Sequence, residues 1–351
     1  MAVFRAFKAL RPTEEKATAV AALPYDVVNR EEAAAIGKEN PDSFLHVDRA
    51  EMDLPAETDL YDAKVYQKAK ENLHKMEETG VLVQDNKPCY YIYELVRKGK
   101  VQTGIAGCAS IDDYLNNVVK KHELTRSDKE LDRINHVDVC DANTGPIYLA
   151  CRYTDALSAL LEQWKKEHKA TYDFTEEDEI THRVWVIDGD EAISQIQGEM
   201  EKIPALYIAD GHHRAASAVK VGLKRRQENP DYTGEEAFNY FLSVVFSYDQ
   251  LTILAYNRVV RDLNGQSVED VLEKIKENFD MTIVPGFPAK PVEKHCFGMY
   301  LDGFWYLLKA KPELYEGKDV VGQLDAQILQ DVVLGPVLAL VIQGLTSVLS
   351  L

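Results

Sequence analysis

The sequence predicts a mixed α/β fold, helices around one mixed sheet, and three observations carry that prediction. The apolar stretches 89–96 and 102–109, separated by Arg97-Lys98-Gly99-Lys100, read as antiparallel strands joined by a hairpin turn. Tyr61, Val65, Ala69, Leu73 and Met76 recur at spacings of three and four, which predicts a helix over about 60–78 ended by Gly80. The apolar run Ala205-Leu206-Tyr207-Ile208-Ala209 passes directly into Asp210-Gly211 and then into small helix-forming residues, a strand–turn–helix unit. Hairpins beside such units argue for a mixed sheet over a purely doubly wound one.

The remaining elements follow in order. Leu23 to Val28 has a strand-to-turn pattern, and Asn29 with Glu31 and Glu32 behind it reads as the cap and acidic first turn of a helix. A polar segment of both charge signs runs over 112–143. A helix is expected around 156–167, a strand at 183–187, a short helix before Pro204, and strands at 240–246, 252–255 and 299–307. No repeat or low-complexity linker divides the chain. The expected organisation is an N-terminal α/β segment (1–110) carrying Pro24-Tyr25-Asp26-Val27, a core (111–340) and a separate tail (341–351).

With 351 residues, 46% hydrophobic and 28% charged, the chain is a globular protein long enough for two domains. A net charge of −18 argues against a duplex nucleic-acid partner, which needs a basic face, while leaving room for a local basic pocket that holds a phosphorylated metabolite. The five cysteines form no CxxC pair and lie mostly in apolar stretches, as buried thiols of a reducing, cytoplasmic compartment do. The charged N-terminus lacks a signal peptide's apolar core. Val332 to Leu351 carries no charge, but Gly335-Pro336, Gln343, Gly344 and Thr346 interrupt it, and no membrane anchor is expected.

Asp210-Gly211-His212-His213-Arg214 is the strongest chemical signal. A helix beginning there offers unpaired backbone N–H groups and the positive end of its dipole. Two imidazoles and a guanidinium at that end oppose the dipole, and a bound anion resolves the conflict, with Arg214 able to grip it bidentately. Ordinary turn histidines and a solvated arginine are the competing explanation. Adjacent histidines are poor joint zinc ligands, since their side chains diverge, and no third ligand spacing is near. A second cluster runs over residues 120–133, holding Lys121, His122, Glu123, Thr125, Arg126, Asp132 and Arg133, and continues to His136 and Asn143-Thr144-Gly145-Pro146. Its carboxylate beside an imidazole is the inventory of a general base and its partner, and also of a solvated charged helix. Asp26 in Pro24-Tyr25-Asp26 is a turn acid or a binding residue.

These clusters carry a family resemblance. Residues 23–27 (LPYDV), 40–47 (NPDSFLHV), Lys121-His122-Glu123 with Thr125, Asp132-Arg133, residues 143–146 (NTGP), residues 209–214 (ADGHHR) and residues 258–263 (RVVRDL) resemble the domain-of-unknown-function ten-fifteen family. Asn257 stands where that family often has histidine. The DGHHR loop is also similar to that of the ParB/sulfiredoxin superfamily, which includes free-serine kinases. Sulfiredoxins need a cysteine where this chain has His212, and partition proteins need a DNA-binding domain, so the serine-kinase-like branch fits best. The resemblance implies an elaborated ParB/sulfiredoxin-like core and phosphoryl transfer between ATP or ADP, with Mg2+, and serine or phosphoserine. It assigns catalysis to Glu123, Asp210 and His212. Gly211, His213, Arg214, Lys121, His122, Arg126 and Arg133 would hold nucleotide phosphates, and Asp26 and Asn143 the substrate. A non-catalytic nucleotide sensor and a metal-dependent phosphoserine hydrolase are the other classes the same loop would serve.

The tail carries its own expectation. Family-like chains continue after a Leu-Gly-Pro segment with a DPRTDKRID-type peptide. Codons for that peptide, read one base later, give IQGLTSVL, the residues at 342–349. A shifted reading frame after about residue 341 is expected, and resequencing the gene checks it.

Overall fold

The computed structural model describes residues 1–123, 127–176, 179–252, 257–286 and 288–340, and of 127–129 the backbone only. The chain forms two compact units, Met1–Ile253 and Leu254–Leu351. The boundary expected at 110/111 is not where the chain divides, because strands before and after residue 110 belong to one sheet. The expected shifted tail at 341–351 lies outside the described residues.

The first unit contains β1 (Phe4–Arg5), β2 (Leu10–Pro12), β3 (Leu82–Gln84), β4 (Tyr90–Arg97), β5 (Lys100–Ser110), β6 (Val119–Lys120), β7 (Ile147–Cys151), β8 (Tyr172–Thr175), β9 (Thr181–Ile187), β10 (Leu206–Asp210) and β11 (Tyr240–Ser247). Among the described residues, nine of them form a mixed sheet ordered β6-β10-β7-β11-β5-β4-β9-β8, with β1 against β5. The β6–β10 and β7–β11 pairs are parallel and the others antiparallel. Strands β2 and β3 pair separately. The hairpin between β4 and β5 turns on Lys98 and Gly99, both at positive φ, the geometry that matches the right-handed twist of flanking strands.

Alternate residues of the sheet point to one core. Tyr90 and Ile92, Ile105 and Ala109, Ile147 and Leu149, Leu206 and Ile208, Phe241 and Val245 all meet helices Asp155–Glu167, Asp190–Glu201 and His212–Glu228 there. A smaller core lies under helix Ala63–Glu78, where Val65, Ala69, Leu73 and Met76 are buried as their spacing requires. Tyr61 falls outside that helix because Asp62 caps it. Leu23 to Val28 forms no strand. Leu23 and Val27 are exposed, and the segment is a turn leading to Asn29, which closes a capping box with Glu32.

The second unit is an antiparallel sheet of β12 (Phe279–Val284), β13 (Cys296–Leu301) and β14 (Phe304–Ala310), ordered β12-β14-β13. Helix Val268–Asn278 packs on it through Val271 and Ile275. The single strand expected over 299–307 is therefore two, broken at Asp302-Gly303 with both residues at positive φ. The strand expected at 252–255 falls largely on residues outside the described set. Among the described residues no helix is long and apolar enough to cross a membrane.

Candidate functional site

The site is built around the start of helix His212–Glu228. Strand β10 shifts register against β7 between Ile208 and Asp210, a bulge that re-aims the strand end. Gly211 then takes a left-handed conformation (φ +92°, ψ 32°) as the helix N-cap, and no side chain caps the first turn. A Cβ at this position would lie 3.1 Å from Nε and Nη2 of Arg214. Gly211→Ala is expected to cost about 1–3 kcal/mol, read as a lower thermal midpoint, because both the φ and the space oppose it.

Small residues let this helix approach its neighbour closely. Ala215, Ala216, Ser217 and Ala218 are buried, and Ser217 Oγ donates to Glu130 O (3.1 Å) of helix Ser127–Cys140. Lys220 pairs with Glu130, and Lys224 with Asp138 (2.5 Å). This packing turns Arg133 and His136 of one helix and His213 of the other toward a common cavity of about 270 Å³. Tyr25 and Asp26 form part of its wall, as do Val47 to Glu51, Tyr61, Tyr66 and Asp132.

The cavity is charged in both senses. Arg133 is buried, pairs with Asp132 (2.8 Å) and lies 4.1 Å from the centre of the Tyr25 ring. Burial works against its charge, but Asp132, Tyr25 and Asp48 outweigh burial and hold the guanidinium protonated. Tyr66 donates its hydroxyl to the other Asp132 oxygen (3.0 Å); burial, aided by that carboxylate, pushes the phenol up to about 12. Arg49 pairs through Nη2 with Glu51 (2.8 Å), and its Nε is shut off from water without a hydrogen-bond partner among the described residues. His136 Nε2 donates to Val47 O (3.1 Å), and burial, then Arg133, lowers its basicity.

His212 and His213 are neighbours about 100° apart around the helix and serve different surroundings. His213 faces the cavity, with Nδ1 buried and unpartnered among the described residues. His212 is only 5% exposed and meets His122 edge to face, ring centres 4.4 Å apart. Its Nδ1 lies 3.5 Å from a carboxylate oxygen of the exposed Glu123, and its Nε2 is buried without a partner among the described residues. Burial first, then His122, lowers the basicity of His212 and keeps the ring neutral near pH 7.

Arg214, expected to grip a phosphate, is engaged by Asp210 of its own loop and by the distant Pro146. Nη1 donates to Pro146 O (2.7 Å) and Nη2 to Asp210 Oδ2 (2.5 Å). Asn143 does not line the cavity; its neighbour Thr144 donates to Asp48 (2.7 Å), so the segment 143–146 ties the cavity wall to the DGHHR loop. Lys121 lies over the Tyr114 ring (4.1 Å) and donates to Tyr114 O (3.2 Å), and burial lowers its basicity. Arg126 lies outside the described residues. Thus Asp26, Arg133 and His213 share one cavity, His122, Glu123 and His212 form a second group, and Asp210 with Arg214 forms a clasp. Arg49, Asp48, Tyr66, Asp132 and His136 complete the cavity without having been singled out as site residues. The spacing of Asp132 and His136 around Arg133 on one helix was the available signal for two of them.

Neither a curated protein nor a solved structure matches the chain. The family model described as "Protein of unknown function (DUF1015)" matches residues 4–327, a span that contains every motif of this site, and the chain belongs to that family.

Proposed function

We propose that the chain is a nucleotide-dependent phosphotransferase acting on a small hydroxy metabolite, with serine and phosphoserine as the substrate pair. The observation that carries the reading is the uncapped start of helix His212–Glu228, where His212 Nε2 and His213 Nδ1 are both buried and unpartnered among the described residues. Backbone amides at a helix start and a histidine donor suit a phosphate, and unpaired buried nitrogens are costly unless a ligand meets them. A cavity of about 270 Å³ lies just below the ligand-pocket range of about 300–1,000 Å³, which fits a small metabolite rather than a whole nucleotide. The DGHHR loop, similar to that of ParB/sulfiredoxin-like serine kinases, supports the same assignment.

In this reading Glu123 orients His212 through Nδ1, and a substrate reaching from the cavity past the helix start to His212, which does not line the cavity, gives its hydroxyl proton to the neutral Nε2. His213 and the first-turn amides hold the phosphate, with Arg49 and Arg133 supplying positive potential to the cavity. Asp26 at the rim offers a carboxylate to the amino group of the substrate. Among the described residues no three His, Cys, Asp or Glu side chains form a metal cage. Magnesium is commonly held by one or two carboxylates together with phosphate oxygens, and the exposed Asp210 is the carboxylate that would serve as its protein ligand. Bound with ATP or ADP, it would neutralise charge on the transferred group.

The test is exchange. Protein with magnesium, ADP and phosphoserine is expected to form ATP and serine, and ATP with serine the reverse. Nucleotide binding without turnover of either pair would make the chain a sensor. Phosphate release from phosphoserine without nucleotide would make it a hydrolase.

A further inference from the structure

The segment 40–47 is a motif that the proposed chemistry leaves unused, and it carries His46 next to its last residue. Asn40 donates through Nδ2 to Ala19 O (2.6 Å) and accepts from the backbone of Asp42, which fixes the turn after helix Arg30–Glu39. His46 then lies between three elements. Its Nδ1 is 2.9 and 3.0 Å from the two oxygens of Asp53. Asn72, on helix Ala63–Glu78, donates to Asp53 Oδ2 (2.7 Å) and to His46 O (2.6 Å). On the far side, Nε2 is shut off from water and rests against the last turn of helix Arg30–Glu39. There a Cβ added at Gly37 would lie 3.1 Å away.

The next residues are the cavity wall. Val47, Asp48, Arg49, Ala50 and Glu51 follow His46 directly and face the cavity. The other end of helix Arg30–Glu39 is tied to the same wall, since Arg30 donates to the carbonyls of Glu51 (2.7 Å), Leu54 (3.1 Å) and Pro55 (2.8 Å). We infer that His46 is a positioning residue whose imidazolium, held between Asp53 and the end of helix Arg30–Glu39, pins the wall segment Val47–Glu51, and that the pin loosens when the ring loses its proton.

The charged ring pairs through Nδ1–H with the Asp53 carboxylate and carries a second N–H at Nε2, buried against the helix end without a hydrogen-bond partner among the described residues, while the neutral ring keeps only the Nδ1–H and loses the charge. A helix C-terminus also favours a cation. Asp53 first, then the carbonyls of Gly37 and Asn40, raise the basicity of His46 against the opposing effect of burial. The raised value makes this contribution complete below the ordinary imidazole value of 6.5 and lost as pH rises through the folded value. Asp53 is itself held below its ordinary range: burial opposes its charge, but His46, Asn72 and Lys68 outweigh it. Asn72, which donates to Asp53, is neutral. On the other side of Val47 stand His136, Arg133 and Asp132; His136 is less basic than an ordinary imidazole, so its titration falls on the acid side, away from that of His46.

Hydrogen exchange of the whole protein without ligand tests this, and its result does not depend on the phosphotransferase reading. Protection factors of amides 47–52, corrected for intrinsic rates, are expected to fall about tenfold between about pH 6 and pH 9. In His46→Gln, protection is expected to be independent of pH, and in Asp53→Asn the fall is expected to move to lower pH. Protection in the natural protein that does not change with pH overturns the inference. So does a His46→Gln variant that shows the same fall, or one unprotected at every pH, which would make the residue merely structural.

Discussion

Replacing His212 by asparagine is expected to reduce phosphoryl transfer about 10²–10⁴-fold while leaving phosphoserine affinity nearly unchanged, as removal of a general base does. The ring is held by Glu123 on one side and His122 on another, so its Nε2 has a fixed direction, and burial keeps it neutral. The pH profile carries the sign. A base must be unprotonated, and because the basicity of His212 is lowered, the acid limb of turnover is expected below pH 6.5. Glu123→Gln removes the orienting charge but not the ring, and a smaller loss in turnover with little change in affinity is expected. Full activity in Glu123→Gln beside a dead Asp210→Asn would move the base to Asp210. A His212→Asn variant that loses affinity and turnover together would make His212 a phosphate ligand rather than the base.

The parts of this arrangement that could be read from the sequence are those fixed by local backbone physics. Strand β10, the turn at Asp210-Gly211 and the helix after it follow from apolar residues, a glycine able to take positive φ, and small helix formers. The burial of Val65, Ala69, Leu73 and Met76 follows from helical spacing. Asp302-Gly303 was legible in principle as a hairpin turn, but the apolar residues on either side read as one strand. What remained hidden was contact between distant segments. Arg214 carries the charge of a phosphate ligand, yet Pro146 O and Asp210 take its nitrogens, and nothing near Arg214 in sequence announces Pro146. His212 and His213 look equivalent in sequence and are not, because the helical rotation between them sends one to Glu123 and the other to the cavity. Arg49 reaches the cavity only because His46, Asn72 and Arg30 fold its segment against two helices, a tertiary effect with no local signature.

Replacing Arg133 by methionine is expected to destabilise the protein by about 3–5 kcal/mol, the usual cost of removing one partner from a buried ion pair. Methionine matches much of the arginine volume, so the loss is electrostatic rather than a cavity. Among the described residues Asp132 would keep the Tyr66 hydroxyl (3.0 Å) alone, and Tyr25 would lose the cation lying over its ring. A fall in thermal midpoint of about 10 °C or more is the expected reading for a unit of this size. Pairing the change with Asp132→Asn separates the causes, since the second substitution removes the abandoned charge. The double variant is expected to recover most of the lost midpoint while still failing to bind phosphoserine, because the positive potential that Arg133 lends the cavity is gone in both. If Arg133→Met is as stable as the natural protein, Asp132 is hydrated in solution and the cavity is more open than the packing of helices Ser127–Cys140 and His212–Glu228 implies. If the double variant binds phosphoserine normally, the cavity holds its ligand without Arg133, and Arg49 and His213 carry the anion alone.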